Sequence, residues 1–452
     1  MVIKLSGAMS AHIGTANELP VEFIMPPDKS ILHRLLIIGS ITRSAFRIPI
    51  PSVEAISHDV VATVLALESL GVPVELFPDY IALQGVGLGG YRTPTHVINC
   101  ANSGTTTRLL MGLLAGQPFN AALTGDESLS ARPMKRLADL LANMGASIIT
   151  APEGTLPVMI NGKPLHGAQT TLPVASAQMK SALLLAGLYA KGITMVREPG
   201  QSRDHTERML EAFGFGIDVT EEGIHLDPSI LAMTEDEIEY HVPGDLSSAA
   251  FMAVAAIILH KEITISGVLL NPTRTRFIEV LTLMGVELEA VNVTESWGET
   301  RGDLIVHGAI TELEPFHITS EDVPLLIDEL PVLAILAVFA DGESTIRGAS
   351  ELRHKESDRL KLTATQLKAF GVEVEELEDG LTVYGVADRR LTAAPIVHGG
   401  DHRLAMAFSI AALQCDEPVP VNDAEVVGVS YPDFFIHLAK LCGKKQVETL
   451  SP

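Results

Sequence analysis

The positively charged side chains that could bind a ligand lie in short polar clusters along the chain. Arg suits bidentate binding of a carboxylate or phosphate, and Lys acts as a compact positive charge. The cations in or near these clusters are Lys29, Arg34, Arg108, Arg132, Lys180, Arg203, Arg274, Lys355, Arg359 and Arg403. Cations of these types predict a protein that binds small anions.

Two carboxylates in the same clusters could transfer protons. Asp328 lies at the start of an apolar stretch, and Glu356 lies between Lys355 and Arg359. Burial and neighbouring charges can tune a carboxyl group for general acid–base catalysis. Each residue also has a structural interpretation: Asp328 could simply cap a helix, and Glu356 could be a solvated charge at a helix end. Arg132 and Arg403 could equally belong to surface ion pairs.

Six of the clusters each precede an apolar stretch rich in Leu and Ala, which predicts a buried helix, and the remaining cations lie at the starts of a second set of helices. Ser, Thr, Asn and Asp in the clusters are residues that cap helix N-termini. The reference residues of the six clusters are Ser30, Ser103, Ser176, Ser247, Asp328 and Asp401, and the apolar stretches are residues 31–38, 109–115, 182–190, 249–259, 330–340 and 404–413. Six capped helices in register indicate several N-termini that point at one place, where free N–H groups and helix dipoles favour anions.

A second pattern alternates with the first. It consists of an amphipathic helix, a glycine and a strand of alternating polarity, and the glycine fits the position after a helix where φ is positive. These glycines are Gly71, Gly145, Gly214, Gly285, Gly371 and Gly443. Together the two patterns predict six α/β units of about 70–80 residues each.

The composition limits the class of protein. The 452 residues carry a formal net charge of −24, which argues against nucleic-acid binding and against docking on anionic lipid. Cys100, Cys415 and Cys442 are widely spaced, which predicts a reducing compartment and no zinc site. No apolar run is long enough to span a bilayer, and the N-terminal residues lack the pattern of a signal peptide, so we expect a cytoplasmic protein.

The clusters resemble the substrate motifs of the 5-enolpyruvylshikimate-3-phosphate synthase family. They occur in the order typical of the family and extend over nearly the whole chain. The motifs are residues 27–34 (PDKSILHR), 102–108 (NSGTTTR), 125–129 (GDESL), 132–134 (RPM), 176–180 (SAQMK), 202–207 (SRDHTE), 351–359 (ELRHKESDR), 401–403 (DHR) and 430–432 (SYP). SAQMK and SRDHTE resemble the second class of the family.

The resemblance implies a reaction between two small anionic partners, shikimate 3-phosphate and phosphoenolpyruvate. The enolpyruvyl group is transferred to the 5-hydroxyl of shikimate 3-phosphate by addition and elimination, and phosphate is released. No metal and no organic cofactor is implied. We expect a monomer with no nucleic-acid or membrane partner.

The resemblance also implies the fold class, an α/β, two-domain inside-out barrel built from six βαβαββ repeats, three in each domain. One domain comprises residues 1–25 and 244–452, and the other comprises residues 26–243. The chain then crosses between them near residues 25–27 and 242–245. We expect shikimate 3-phosphate to close the domains, which small-angle scattering would detect as compaction.

The resemblance assigns roles to individual residues. The catalytic set has Asp328 as the base for the 5-hydroxyl, Glu356 as the proton relay to the alkene, and Lys29. The set for shikimate 3-phosphate is Lys29, Ser30, Arg34, Ser176, Ala177, Gln178, Arg203, Asp328 and Lys355. The set for phosphoenolpyruvate is Lys29, Asn102, Gly104, Arg132, Gln178, Arg359 and Arg403.

Two alternatives remain open. UDP-N-acetylglucosamine enolpyruvyl transferases share the fold but usually carry a loop Cys that acts as an acid, and Cys100 is not in such a context. A non-catalytic anion-binding scaffold has no need for Asp328 and Glu356 beside the cations. Two positions bear on the family contacts: Val429 stands where the first class often has Lys, and Gly104 stands where some herbicide-tolerant members have Ala.

Overall fold

Helices and strands alternate along the chain, and we describe them from a computed structural model over residues 1–5, 20–231, 237–308, 312–387, 389–443 and 446–450. The helices are α1 (Lys29–Ser40), α2 (His58–Ser69), α3 (Gly104–Ala115), α4 (Glu127–Ser130), α5 (Lys135–Ala142), α6 (Ala177–Gly187), α7 (His205–Ala212), α8 (Leu246–Ile258), α9 (Arg276–Leu283), α10 (Val323–Leu326), α11 (Leu330–Leu336), α12 (Arg359–Ala369), α13 (His402–Ala412) and α14 (Phe434–Cys442).

The strands are short and lie between these helices. They are β1 (Val2–Leu5), β2 (Val21–Ile24), β3 (Ala45–Pro49), β4 (Val74–Leu76), β5 (Tyr80–Gln84), β6 (Ile98–Asn99), β7 (Asn120–Thr124), β8 (Ser147–Ile149), β9 (Val158–Asn161), β10 (Leu165–His166), β11 (Gln169–Thr171), β12 (Ala190–Lys191), β13 (Thr194–Arg197), β14 (Gly216–Thr220), β15 (Gly223–Asp227), β16 (Glu237–Glu239), β17 (Ile263–Leu269), β18 (Glu287–Ser296), β19 (Glu299–His307), β20 (His317–Ile318), β21 (Gly342–Ile346), β22 (Glu373–Leu377), β23 (Gly380–Gly385), β24 (Val419–Val421) and β25 (Val447–Leu450).

The chain divides into two compact units. Unit one consists of Met1–Pro26, Pro243–Thr294 and Thr300–Pro452. Unit two consists of Pro27–Val242 and Glu295–Glu299. Each unit is therefore assembled from segments that are not contiguous in sequence.

One four-stranded sheet topology recurs in both units. Unit two contains the strand orders β6-β7-β9-β8, β11-β13-β15-β14 and β16-β3-β5-β4, and unit one contains β18-β19-β17-β2 and β20-β21-β23-β22. In each sheet one parallel pair is followed by an antiparallel pair. A further sheet in unit one has three strands, with β1 antiparallel to both β24 and β25.

The apolar helices form the interior of each unit. All of the residues in α8, α11 and α13 are buried, because beyond a few polar residues these helices are apolar on every side. In unit one, α8, α11 and α13 contact one another, and in unit two α3 contacts both α1 and α6. The prediction of buried helices that follow polar clusters is confirmed.

Close contact between α3 and α6 fixes the spacing of their N-termini. A Cβ atom added at Gly112 of α3 would lie 2.0 Å from the backbone oxygen of Ala182 in α6. Only a glycine permits this approach. The two helix starts, which carry several predicted binding residues, are thus held at a defined distance.

The predicted glycines after the second helices have the expected backbone conformation. Gly71, for example, has φ of 83° and follows α2, where an L-residue with a side chain would be strained. All six have positive φ, and they are Gly71, Gly145, Gly214, Gly285, Gly371 and Gly443. This local prediction is confirmed throughout.

Two predicted helices are longer than those observed. The apolar stretch 182–190 was expected to be helical throughout, but α6 ends at Gly187 because Ala190 pairs with Leu165 in a parallel two-stranded sheet. The stretch 330–340 is α-helical only to Leu336 and then tightens into a 3₁₀ turn at Ala337–Phe339. Apolar composition predicted burial correctly but not where the helices end.

Candidate active site

The polar clusters begin the buried helices, and most supply a cap. The side chains of Asp28, Ser103, Ser176, Asp245 and Asp401 accept backbone N–H groups at the starts of α1, α3, α6, α8 and α13. In the first and fourth clusters, where Ser30 and Ser247 were the reference residues, the caps are therefore the aspartates two residues earlier. These caps satisfy one N–H group at each helix start and leave the dipole directed toward the cluster.

Asp328 does not cap its helix. The residue at the N-cap of α11 is Glu329, and its side chain makes no capping hydrogen bond within the described chain. The Asp328 carboxylate instead lies 3.5 Å from Nε of Arg403 and 3.7 Å from Nη1 of Arg359. The structural interpretation of Asp328 as a simple cap is therefore wrong.

Arg359 is the centre of the cluster in unit one. Its Nε donates to Asp401 at 2.7 Å, and its Nη2 donates to Glu356 at 2.6 Å. The guanidinium is only 1% exposed, and the Asp401 side chain is fully buried. Burial alone would lower the pKa of Arg359, but Asp401 and Glu356 outweigh it and raise the pKa above its ordinary value. Arg359 is therefore a permanent buried cation.

The remaining end of Arg359 faces Asp328 at 3.7 Å, which is too long for a hydrogen bond. Its Nη1 atom is buried and has no hydrogen-bond partner among the residues that the structure describes. Burying an N–H group of a charged side chain without a partner is costly. An anion that accepts from Nη1 would remove that cost.

Arg403 and Glu356 complete the cluster in unit one. Arg403 Nη1 donates to the backbone oxygen of Asp328 at 3.1 Å. The Arg403 guanidinium therefore contacts both the backbone and the carboxylate of Asp328. The Glu356 carboxylate is 14% exposed and is held by Arg359. Lys355 is half-buried and directly precedes Glu356. Neither Arg403 nor Glu356 fits the description of a solvated surface charge.

In unit two, Lys29 is held by a carboxylate that sequence reasoning missed. Its Nζ donates to Asp59 Oδ2 at 2.8 Å, and both side chains are largely buried. Ser30, the next residue, accepts a hydrogen bond from Arg203 Nη1 at 3.3 Å. The starts of α1 and α7 are therefore tied together at the predicted site.

Arg34 is more enclosed than expected for a direct ligand contact. It is 2% exposed and donates to Thr206, Ser181 and the backbone oxygen of Ser30. These bonds use three of its five N–H groups. Burial lowers its pKa to about 10, which leaves the guanidinium charged at neutral pH. Arg34 thus connects α1 to α6 and α7 and places a buried positive charge next to Ser30.

Arg132 and Asn102 form a second part of the cluster in unit two. Arg132 Nη2 donates to Asn102 Oδ1 at 2.8 Å, and Asn102 Nδ2 donates to Asp126 at 2.7 Å. Gly104, at the start of α3, faces two guanidinium groups. A Cβ atom added there would lie 3.0 Å from Nη1 of Arg108 and 3.2 Å from Nη1 of Arg132. Gly104 therefore leaves room for two cations at a helix N-terminus.

Gln178 connects the starts of α3 and α6. Its Oε1 accepts from Arg108 Nη1 at 2.6 Å, and its Nε2 donates to Thr105 at 2.9 Å. Ser176 caps α6, and Ala177 is the first residue of that helix. The predicted residues 176–178 therefore share one helix start with a cation from the neighbouring helix.

Two of the predicted cations are not available for an anion. Lys180 is 2% exposed and lies 2.6 Å from Glu198 and 2.7 Å from Glu207. Arg274 is 1% exposed and lies 3.2 Å from Glu329. Both are paired with buried carboxylates, and neither was assigned a substrate contact from the sequence.

Sequence reasoning also missed two acidic partners of the site. Asp401 was predicted only as a residue of a helix-capping cluster, and its ion pair with Arg359 was not foreseen. Asp59 gave no local signal, because its partner Lys29 lies 30 residues earlier. The motif residue Tyr431 is fully buried and bonds to His437, which makes it a packing residue here.

Among the described residues, one group of side chains could bind a metal ion, but it includes none of the predicted substrate-binding residues. Glu287, Glu289 and His307 place their ligand atoms within 4.8 Å of one another on strands β18 and β19. This group contains none of the predicted site residues.

The three cysteines are free thiols, and burial raises the pKa of Cys100 to about 11, so this thiol stays protonated.

Comparison with known proteins finds relatives over nearly the whole chain. The model of the EPSP synthase family (3-phosphoshikimate 1-carboxyvinyltransferase) matches residues 14–438. A 3-phosphoshikimate 1-carboxyvinyltransferase from Limosilactobacillus fermentum is 44% identical over 93% of this chain and 96% of its own. One from Parasynechococcus marenigrum is 43% identical over 97% of both.

Solved structures show the same architecture. EPSP synthase from Acinetobacter baumannii matches with a TM-score of 0.83 and 38% identity over the full length of both chains. The enolpyruvyl transferase NikO from Streptomyces tendae matches with a TM-score of 0.72 at 17% identity, over 97% of both chains, which bears on the fold alone. No helix among the described residues has the length and apolar character needed to cross a membrane.

The fold is that of the enolpyruvyl transferases, with buried helices and outer sheets repeated in two units. The chain belongs to the EPSP synthase family.

Proposed function

We propose that this chain transfers the enolpyruvyl group of phosphoenolpyruvate to the 5-hydroxyl of shikimate 3-phosphate and releases inorganic phosphate. This is the activity named for the family and for its relatives. The structural observation that carries the proposal is Arg359, a buried cation whose Nη1 lacks a hydrogen-bond partner within the described chain, with Asp328 and Glu356 beside it. A cation poised for an anion, next to two carboxylates, suits proton transfer on an anionic substrate.

The reaction has two stages. In the addition, the alkene CH2 carbon of phosphoenolpyruvate gains a proton, and the 5-hydroxyl oxygen bonds to the adjacent carbon as it loses its own proton. In the elimination, the new methyl group loses a proton, the carbon–oxygen bond to phosphate breaks, and phosphate leaves. The chain must therefore supply a base, a proton relay and a set of cations.

We assign the proton transfers to the cluster in unit one. Asp328 accepts the hydroxyl proton, since Arg359 and Arg403 orient its carboxylate. Glu356 relays the proton to the alkene. Arg359 favours the charged form of the Glu356 carboxylate. An anion bound beside Arg359 offsets that preference, so substrate binding prepares Glu356 to carry a proton.

We assign substrate binding to two sets of residues. Phosphoenolpyruvate is bound by Lys29, Asn102, Gly104, Arg132, Gln178, Arg359 and Arg403. Shikimate 3-phosphate is bound by Lys29, Ser30, Arg34, Ser176, Ala177, Gln178, Arg203, Asp328 and Lys355. The support is the helix starts and guanidinium groups gathered in unit two, together with the poised Arg359 in unit one.

The activity can be tested with the purified chain. Phosphate release from phosphoenolpyruvate is measured with shikimate 3-phosphate, with UDP-N-acetylglucosamine and with no acceptor, and pyruvate is measured in parallel. We expect phosphate without pyruvate, and only with shikimate 3-phosphate. Release with UDP-N-acetylglucosamine alone would show the other transferase activity, and equal phosphate and pyruvate would show simple hydrolysis. The first of these alternatives is not favoured, because its usual acid is a loop Cys and Cys100 is fully buried.

Lys29→Met is expected to lower kcat/KM by about 1,000-fold, because a desolvated charge contact is worth about 3–5 kcal/mol. It should also lower the melting temperature, since it leaves the buried Asp59 carboxylate without its ion pair. The double variant Lys29→Met, Asp59→Asn removes both charges. It should recover the melting temperature and remain inactive, whereas recovery of activity would reduce Lys29 to a structural partner of Asp59.

Gly104→Ala is expected to raise the KM for phosphoenolpyruvate about tenfold, or about 1.4 kcal/mol. The added methyl group displaces the Arg108 and Arg132 guanidinium ends, which are flexible, while alanine is tolerated by the helix. The KM for shikimate 3-phosphate should change little. Gly89→Ala is the matched control, because its Cβ would have nothing within 4 Å. Equal changes in both KM values would contradict the assignment of Gly104.

We further propose that the two compact units are the domains predicted at residues 1–25 with 244–452 and at residues 26–243. The division of the chain at Pro26 and Val242 supports this proposal.

We propose a monomer in the cytoplasm. Free thiols suit a reducing compartment, and one chain carries every residue assigned to both substrates. Sedimentation equilibrium and cell fractionation test these two statements.

A further inference from the structure

A chain of buried hydrogen bonds crosses three helices of unit two and is not part of the proposed chemistry. His33 Nδ1 lies 2.7 Å from Thr63 Oγ1, which lies 2.6 Å from Thr106 Oγ1. Thr106 Oγ1 then donates to Ser103 Oγ at 2.7 Å. All four side chains have an exposure of 0%. We refer to these four residues as the hydroxyl chain.

The hydroxyl chain has a single direction. Each threonine hydroxyl has one hydrogen, and that of Thr106 is donated to Ser103. Thr63 must therefore donate to Thr106, and His33 Nδ1 must carry the hydrogen that is donated to Thr63. Burial, then Lys29 and Arg34, lower the pKa of His33 well below its usual value, so the ring stays neutral and can hold this one tautomer.

The hydroxyl chain ends at the start of α3. Ser103 Oγ accepts the backbone N–H of Thr106 as the helix cap, in addition to the Thr106 hydroxyl. Its two neighbours in sequence are Asn102, which accepts from Arg132, and Gly104, which faces Arg108 and Arg132. The rotamer of Ser103 therefore influences the backbone on which these residues are placed.

We propose that His33 and Thr63 are positioning residues for phosphoenolpyruvate, which act by fixing Ser103 and the first turn of α3. They do not touch the substrate, since both are fully buried. This inference rests on the proposed function, because it takes residues 102–104 and Arg132 as part of the phosphoenolpyruvate site. Loss of one hydroxyl should make residues 102–104 less rigid. It should leave the proposed shikimate 3-phosphate contacts of α1 and α6 in place.

Thr63→Val tests the proposal, because valine keeps the shape and removes the hydroxyl. We expect the KM for phosphoenolpyruvate to rise about tenfold, the equivalent of one net hydrogen bond, with the KM for shikimate 3-phosphate and kcat within about twofold. Thr63→Ser should restore the wild-type value. Thr194→Val is the matched control, since Thr194 is a fully buried threonine of unit two whose hydroxyl has no partner among the described residues. It should change neither KM.

Other outcomes would overturn the proposal. Equal changes in both KM values, or a lower melting temperature with unchanged KM values, would make the hydroxyl chain purely structural. If Thr63→Val does not fold, Thr106→Val removes the next hydroxyl and carries the same expectation. Nitrogen-15 NMR of the wild-type histidines is independent of activity: a neutral Nδ1–H tautomer at His33 is expected, and an Nε2–H tautomer would contradict the direction of the chain. Wild-type protein that releases no phosphate would refute the proposed function, whereas the NMR result would still decide the direction of the hydroxyl chain.

Discussion

Replacing Asp328 by asparagine is expected to lower kcat by about 100- to 10,000-fold, the usual contribution of a general base. Asparagine keeps the size of the side chain but cannot accept the hydroxyl proton. The backbone oxygen of Asp328 can still accept from Arg403, so the local fold should persist. The measurement is steady-state kcat, together with shikimate 3-phosphate binding followed by calorimetry.

Glu329→Gln is the control for the Asp328 variant, because the adjacent carboxylate has a different environment. Glu329 is buried and accepts from Ser247 and Arg274. We expect its variant to lower the melting temperature and to change kcat much less than Asp328→Asn does. If Asp328→Asn retains a kcat within tenfold of wild type, another group accepts the proton.

Arg359→Gln is expected to abolish turnover and to reduce the free energy of unfolding by about 3–5 kcal/mol. The reason is that Asp401, fully buried, and Glu356 lose the cation that neutralises them. Urea denaturation measures the stability, and the phosphate-release assay measures turnover.

Two further variants separate the roles of Arg359. Arg359→Gln combined with Asp401→Asn should recover much of the stability without activity. Arg359→Lys keeps the charge, but a single ammonium cannot reproduce a planar fork that contacts Asp401 and Glu356 and still offers Nη1. It should therefore remain severely impaired in kcat/KM for phosphoenolpyruvate. Near wild-type activity in either variant would show that Arg359 does not bind the substrate.

The charge of the whole chain is compatible with anionic substrates. The formal net charge of −24 describes the full sequence, whereas the cations of the candidate site are buried or half-buried at helix starts. Exposed charges are screened beyond about 10 Å at 0.1 M salt, and buried ones much less. Local cations therefore decide what the site binds.

Much of the fold could be predicted because its signals are local. A glycine at Gly71 or Gly371 marks a backbone conformation that residues with side chains rarely adopt. An apolar stretch such as α8 must be buried whatever surrounds it. The ends of helices were less predictable. The apolar stretch that includes α6 leaves the helix before Ala190, because residues 190–191 pair with residues 165–166 in a parallel sheet.

The candidate site was predictable in its residue types but not in its pairings. Asp328, Glu356 and Arg359 were identified from sequence, and the structure gathers them around one guanidinium. In sequence, Lys180 and Arg274 were indistinguishable from the other cations of the clusters, because nothing near them reveals the buried carboxylates that pair with them. The hydroxyl chain from His33 to Ser103 gave no sequence signal at all.

The sequence by itself determined the repeated units, the capped and buried helices, the glycines that follow the amphipathic helices, and the family to which the motifs point. These features depend on backbone conformation and on periodic burial within a few neighbouring residues. Only the tertiary structure decided that Asp328 faces Arg403, that Lys29 pairs with Asp59, and that Arg359 pairs with Asp401. Such contacts join residues 30 or more positions apart, and their distances depend on how whole helices pack.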